Sequence, residues 1–322
     1  DPTTTSPRDR FWDGQTWTAA TRDGSAAAAR GRRFRGRFWS LRWVGPALAA
    51  VVVVAVGGAF WLRSGAIPVL VALSAVGMAL VCLAFYRFVE RQLALTEVIG
   101  LREVVAIATA AAGAVLLVAL PLNDAILGHL GLTVALATVG PVEEGTKLLV
   151  PLALYLVGRY RNPRAGVAAG LAAGFGFAVA ETTSYALSLP LGGAPDPCTG
   201  AELPAPGLVG SLVGQVYRIA LVSPLHWLWT GIAVAVLWRQ WHLHGLRVNG
   251  PVLAAVVFVM ATHSLNDSSA VWACAAPTAG QLVKAVAGWL SPFLLYAVFR
   301  AVARRSLPPQ LVGVDSRGWH PR

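Results

Sequence analysis

Glu143, Glu144 and Lys147 stand within an apolar run from Leu132 to Val157, long enough to cross a bilayer. Ionisable groups at that depth are costly and are rarely kept for packing alone. Glu143 and Lys147 are four apart and share a helical face, and Glu144 and Lys147 nearly do. Adjacent helical residues diverge by about 100°, so the two carboxylates point different ways. This leaves one free to work while Lys147 holds the other.

Three more apolar runs carry groups of the same kind. Phe177, Glu181 and Tyr185 recur every fourth residue, and Gly166, Gly170 and Gly174 extend their stripe. Small residues at this spacing let helices approach closely, so Glu181 projects toward a neighbouring helix. Arg218, His226 and Thr230 share a face of the next run. His263 and Asp267 lie four apart in the one after, with Asn266 between them. If ionised, Glu143, Glu144, Glu181 and Asp267 give −4, against +2 from Lys147 and Arg218. Low dielectric does not tolerate that excess, so the cluster must bind a divalent cation or hold protons. Both outcomes are typical of catalytic or ion-handling sites.

These residues need helices to position them. Apolar runs at about 44–62, 66–88, 103–122, 132–158, 165–189, 208–238, 250–271 and 279–303 predict an all-α polytopic bundle of about eight transmembrane helices. The sixth contains Pro224 and is expected to kink. With 56% hydrophobic and 13% charged residues, the 322-residue chain has a membrane composition rather than that of a soluble domain. Its +11 charge does not point to nucleic acid, because most arginines flank apolar runs and no basic stripe carries stacking aromatics. An N-terminus in the cytoplasm gathers nearly all loop arginines on that side and leaves Arg63 outside. Both termini are then cytoplasmic. Cys198 and Cys274 fall on the outer side, as a disulfide or as two free thiols.

The expected organisation is a short Trp-rich module at 1–23, a basic linker at 24–43, a membrane domain at 44–305 and a cytoplasmic tail at 306–322. Beginning at Asp1 rather than Met, the chain reads as a fragment or processed form. Arg10-Phe11-Trp12-Asp13-Gly14 followed by Trp17-Thr18 resembles a module found at the N-terminus of many bacterial membrane proteins, and Asp13-Gly14 is a hairpin turn signal. The linker arginines suit an anionic leaflet.

The chain lacks H-E-x-x-H, G-x-S-G, G-x-G-D, G-x-S-x-G and P-loop motifs, which removes several protease and nucleotide chemistries. E-E-x-x-K at 143–147, F-x-x-x-E-x-x-x-Y at 177–185, H-x-x-x-T at 226–230 and H-x-x-N at 263–266 instead resemble the PrsW family of intramembrane proteases. That family is distantly similar to the CAAX-prenyl-endopeptidase and bacteriocin-processing proteins. The resemblance covers roughly residues 100–300. It departs from the family where Thr182 follows Glu181 in place of the usual Asn.

The resemblance implies an integral protein of the bacterial cytoplasmic membrane that cuts membrane-anchored proteins, such as anti-sigma factors. Peptide hydrolysis needs an activated water and a stabilised oxyanion. Glu143 is expected as the base, with Glu144 assisting or held by Lys147. His226 and His263 either bind a metal with Glu181 or donate to the oxyanion, Asn266 adds an oxyanion contact, and Asp267 orients His263. Arg218 and Tyr185 support the cluster. Tyr185, Thr230 and Phe177 read as packing groups, and His242 and His244 as interfacial. A three-ligand zinc site and a metal-free glutamate mechanism both fit these residue types. Midplane carboxylates and histidines also suit a proton- or ion-coupled transporter, the alternative from another class.

Overall fold

A computed structural model describes residues 8–12, 17–23, 41–93, 95, 98–192, 196, 198–275 and 277–306. Strands β1 (Arg8–Trp12) and β2 (Trp17–Asp23) pair antiparallel, with Arg8 opposite Asp23 and Trp12 opposite Trp17. The Asp13-Gly14 turn lies outside the described residues, as do most of the linker and the tail.

Eight long helices follow: α1 (Leu41–Ser64), α2 (Ile67–Gln92), α3 (Leu101–Leu130), α4 (Leu132–Leu156), α5 (Pro163–Ser188), α6 (Gly207–His244), α7 (Gly250–Ala275) and α8 (Pro277–Ser306). Among the described residues, six are long and apolar enough to cross a membrane by length and composition. The other two, α4 and α7, have 25 and 26 residues and carry the chemistry-bearing groups. The protein is thus a polytopic helical membrane protein.

Helix α3 runs further than the apolar pattern indicated, and α6 carries its proline by the same means. In α3 the expected end was near residue 122, before the polar pair Asn123-Asp124. The helix continues to Leu130 and breaks at Gly131, whose φ of 81° suits only a glycine. Pro121 is absorbed by a π-helical turn at Val115–Ala119 just upstream. The same device recurs in α6, where a π-helical turn at Arg218–Val222 precedes Pro224. A proline removes one N–H and crowds the preceding turn, and a locally widened helix accommodates it without ending the span. This turn stands just before Pro224, where the sixth run was expected to kink.

Helix α5 is the axis of the bundle and is buried along most of its length. Asn162 starts it: its side chain accepts the Arg164 N–H at 2.9 Å, and Pro163 takes the first helical position. The glycine stripe is used as its spacing implied. A Cβ on Gly166 would come within 2.2 Å of the Trp238 ring, and one on Gly174 within 2.4 Å of the Trp227 backbone. On the opposite face Gly176 lies against α3, where a Cβ would come 1.9 Å from the Ala108 carbonyl oxygen. Backbone cannot move aside as a flexible side chain does. Gly176→Ala is therefore expected to cost about 1–3 kcal/mol by overpacking, read as a lower melting temperature of the detergent-solubilised protein.

The loop after α5 is tied down. Cys198 and Cys274 form a disulfide, joining the α5–α6 loop to the end of α7. Asp196 accepts the Thr199 and Cys198 N–H groups at 2.9 and 2.7 Å, which holds its carboxyl below the usual range.

Candidate functional site

The proline in α4 leaves a carbonyl without its helical donor, and α7 supplies a replacement. Pro141 has no N–H for the Ala137 carbonyl, so the Ser264 hydroxyl donates to that oxygen at 2.9 Å. The Gly140 N–H in turn donates to Ser264 Oγ at 3.1 Å. Only glycine permits this approach, since a Cβ there would lie 2.0 Å from the Met260 carbonyl oxygen. The clamp places α4 and α7 so that Glu143 and Glu144 face His263.

The two carboxylates have different surroundings. Glu144 is saturated. Its Oε1 accepts a hydrogen bond from Lys147 Nζ at 2.6 Å and faces His263 Nδ1 at 2.9 Å, while Thr230 donates to Oε2 at 3.4 Å. Among the described residues Glu143 accepts only one hydrogen bond, from Asn123 Nδ2 to Oε1 at 3.1 Å. Its Oε2 is buried without a hydrogen-bond partner. That oxygen faces His263 Nε2 at 3.4 Å, Lys147 Nζ at 3.9 Å and His226 Nδ1 at 4.0 Å.

Partners assign the imidazole tautomers. Lys147 only donates and lies 2.9 Å from His226 Nδ1, so Nδ1 accepts. The other nitrogen, Nε2, lies 2.8 Å from Glu181 Oε2. His263 donates from Nδ1 to Glu144, which leaves the Nε2 lone pair toward Glu143 Oε2. Two acceptors at 3.4 Å call for something positive between them: a proton, a polarised water or a metal ion.

A third carboxylate braces this arrangement from α5. Glu181 Oε2 lies 2.7 Å from Arg218, whose guanidinium stacks 3.7 Å above the Tyr185 ring. The π-helical turn of α6 carries Arg218 at its start and brings it to the same carboxylate as His226. Beside it the Thr182 and Ser223 hydroxyls bond at 2.7 Å, so the Thr following Glu181 joins α5 to α6.

The structure thus gathers Glu143, Glu144, Lys147, Glu181, Arg218, His226 and His263, with Tyr185 and Thr230 against them. Asn266 is turned elsewhere, its amide donating to Asp267 at 3.1 Å. Asp267 is the most open of the acidic groups, with 32% of its side chain exposed, and lies 4.0 Å from His263 Nε2. The carboxylate that orients His263 through Nδ1 is Glu144. The residues read as packing groups do more than fill space. The Phe177 ring lies under the Lys147 ammonium at 4.1 Å and against His226 at 5.0 Å. Spacing gave no sign of Asn123, Ser264 or Trp229, and Trp229 stacks on His263 at 4.2 Å. Asn123 stands at the end of an apolar run and could have been noticed there as an intramembrane amide.

One metal-competent group occurs among the described residues, Glu143, His226 and His263, with ligand atoms within 4.8 Å of one another. It differs in one member from the set Glu181, His226 and His263 expected above. One carboxylate and two imidazoles are a donor set that suits catalytic zinc, and the unpartnered Glu143 Oε2 supports the fit.

No curated protein and no solved structure matches the chain. A family model does, that of the PrsW family intramembrane metalloprotease, over residues 101–303. The match begins at α3 and ends in α8, so it spans every helix that reaches the buried carboxylates. The chain belongs to the PrsW family and is an intramembrane peptidase.

Proposed function

We propose that the protein is an endopeptidase that cleaves single-span membrane proteins with Glu143 as the base that activates water. The observation that carries this reading is the unequal treatment of the adjacent carboxylates: Glu144 is fully hydrogen-bonded, while Glu143 keeps a buried oxygen free. A base needs an unoccupied lone pair, and a positioning group needs none. Asn123 holds Glu143 through its other oxygen, which leaves the free one facing His263 and His226.

The proton inventory follows. Glu143 Oε2 takes a proton from water, and the resulting hydroxide attacks the scissile carbonyl carbon. Negative charge builds on the carbonyl oxygen beside the Lys147 ammonium, whose position is fixed before reaction by Glu144 and Phe177. Glu143 then returns its proton to the leaving nitrogen. Glu143, His226 and His263 would hold a divalent cation, which when bound supplies Lewis-acid polarisation and a more acidic water. The basic ends of α2, α4, α6 and α8 favour termini on the cytoplasmic side. Burial of the cluster within the bundle favours a substrate presented from the membrane.

Purified protein reconstituted in liposomes with single-span reporter proteins tests the reading. Cleavage near the membrane face is expected, and loss of it with His263→Ala, which also melts lower because it empties a buried site and removes a donor from Glu144. Solute-coupled proton flux without peptide products would sink the assignment. Chelator treatment with metal analysis of the same sample decides between the two chemistries: loss of activity that returns with zinc assigns the metal.

A further inference from the structure

A second polar feature lies away from the cluster, at the basic end of the bundle. The start of α3, the end of α4 and the loop between α4 and α5 line an open groove of about 380 Å³. Two arginines, Arg102 and Arg159, are among the residues that line it. Ile107 and Ala110 of α3, with Val150 and Leu154 of α4, continue it as an apolar wall. From residue 102 to residue 110 of a helix is about 12 Å of rise. The lining thus passes from charge to hydrocarbon over a depth comparable to that from headgroup to acyl chain.

The cations are available. Arg102 is exposed and forms no ion pair among the described residues. Arg159 is exposed and faces the Tyr160 ring at 5.8 Å. The acidic residue in the wall, Glu103, is already engaged: it accepts the Gly100 N–H at 2.8 Å and the Tyr160 hydroxyl at 2.8 Å. The loop that carries Arg159 is also held in place. Tyr160 takes a left-handed conformation (φ 54°), which costs a non-glycine residue about 1–2 kcal/mol. Its hydroxyl bond to Glu103 and the Trp238 Nε1–H donated to its carbonyl at 2.8 Å fix it there. The groove is built before any ligand arrives.

We propose that this groove is a binding site for an anionic phospholipid, with the phosphate between Arg102 and Arg159 and the first part of one chain along Ile107, Ala110, Val150 and Leu154. Charge complementarity selects the anionic headgroup, and the apolar wall selects a lipid over a soluble anion. The wall shares α4 with the cluster, since Val150 is three residues from Lys147.

Native mass spectrometry of the detergent-purified full chain, titrated with phosphatidylglycerol, phosphatidylcholine and inorganic phosphate, tests this. Phosphatidylglycerol is expected to be retained over phosphatidylcholine. Arg102→Gln/Arg159→Gln should weaken retention about tenfold or more, and Arg63→Gln, at the opposite end, should not change it. Ala110→Trp, which fills the wall and leaves the charge alone, should weaken it as well. Equal retention by the double variant overturns the site. An unaltered Ala110→Trp reduces it to a charged surface, and saturation by inorganic phosphate alone makes it a free-anion site. Either result refutes the lipid.

Discussion

Glu143→Gln is expected to lower cleavage of a single-span reporter by about 10²- to 10⁴-fold, the usual contribution of a positioned base. The fold should survive. Gln keeps an oxygen for the Asn123 amide, which donates to Oε1 at 3.1 Å. The new amide nitrogen stands where Oε2 faced the His263 Nε2 lone pair at 3.4 Å and can donate to it. A melting temperature at or above that of the parent protein should therefore accompany the lost activity. The same variant separates the two chemistries. If Glu143 is a metal ligand, Glu143→Gln purifies with less bound metal. If Glu143 acts on water alone, the metal content of parent and variant is equal. Retained cleavage in this variant would remove Glu143 from the reaction altogether.

The second large effect is on stability. Lys147 is 1% exposed and faces Glu144 at 2.6 Å, His226 Nδ1 at 2.9 Å and the Phe177 ring at 4.1 Å. Lys147→Met keeps the volume and removes the charge, which leaves Glu144 buried with the weaker donors His263 and Thr230. Breaking one member of a buried pair costs about 3–5 kcal/mol, because the remaining charge loses its compensation. The variant should thus accumulate poorly and melt well below the parent protein. Adding Glu144→Gln removes the stranded charge and should recover most of the loss, while cleavage stays low because His263 has lost its carboxylate acceptor. A single variant as stable as the parent would show that the pair does not hold the cluster. Failure of the double variant to recover would place the cost in packing rather than charge.

Much of the arrangement is carried by spacing alone. The four-residue repeats Glu143–Lys147, Phe177–Glu181–Tyr185, His226–Thr230 and His263–Asp267 each define one helical face, because 3.6 residues per turn fixes which side chains lie together on a single helix. The glycines at 166, 170 and 174 mark where another helix comes close, and the structure puts Trp238, Val234 and Trp227 there. The divergence of neighbouring residues already implied that Glu143 and Glu144 have separate partners. The eight apolar runs and the membrane setting also follow from composition, since no other solvent suits that much exposed hydrocarbon.

Contacts between helices were not legible in this way, because they depend on how each helix is rotated and tilted against the next. Asn123 reaches Glu143 because a π-helical turn carries α3 past Pro121, beyond the apolar run expected to end near residue 122. Ser264 meets the proline break in α4 from 124 residues away in sequence. Which carboxylate orients His263 was likewise settled by packing: spacing within α7 favoured Asp267, but the Gly140–Met260 approach brings Glu144 nearer. The sequence alone determined which residues share a face and that those faces must avoid lipid. The tertiary structure decided which oxygen of which carboxylate is left free, because that depends on partners from other helices, and helical periodicity carries no information about them.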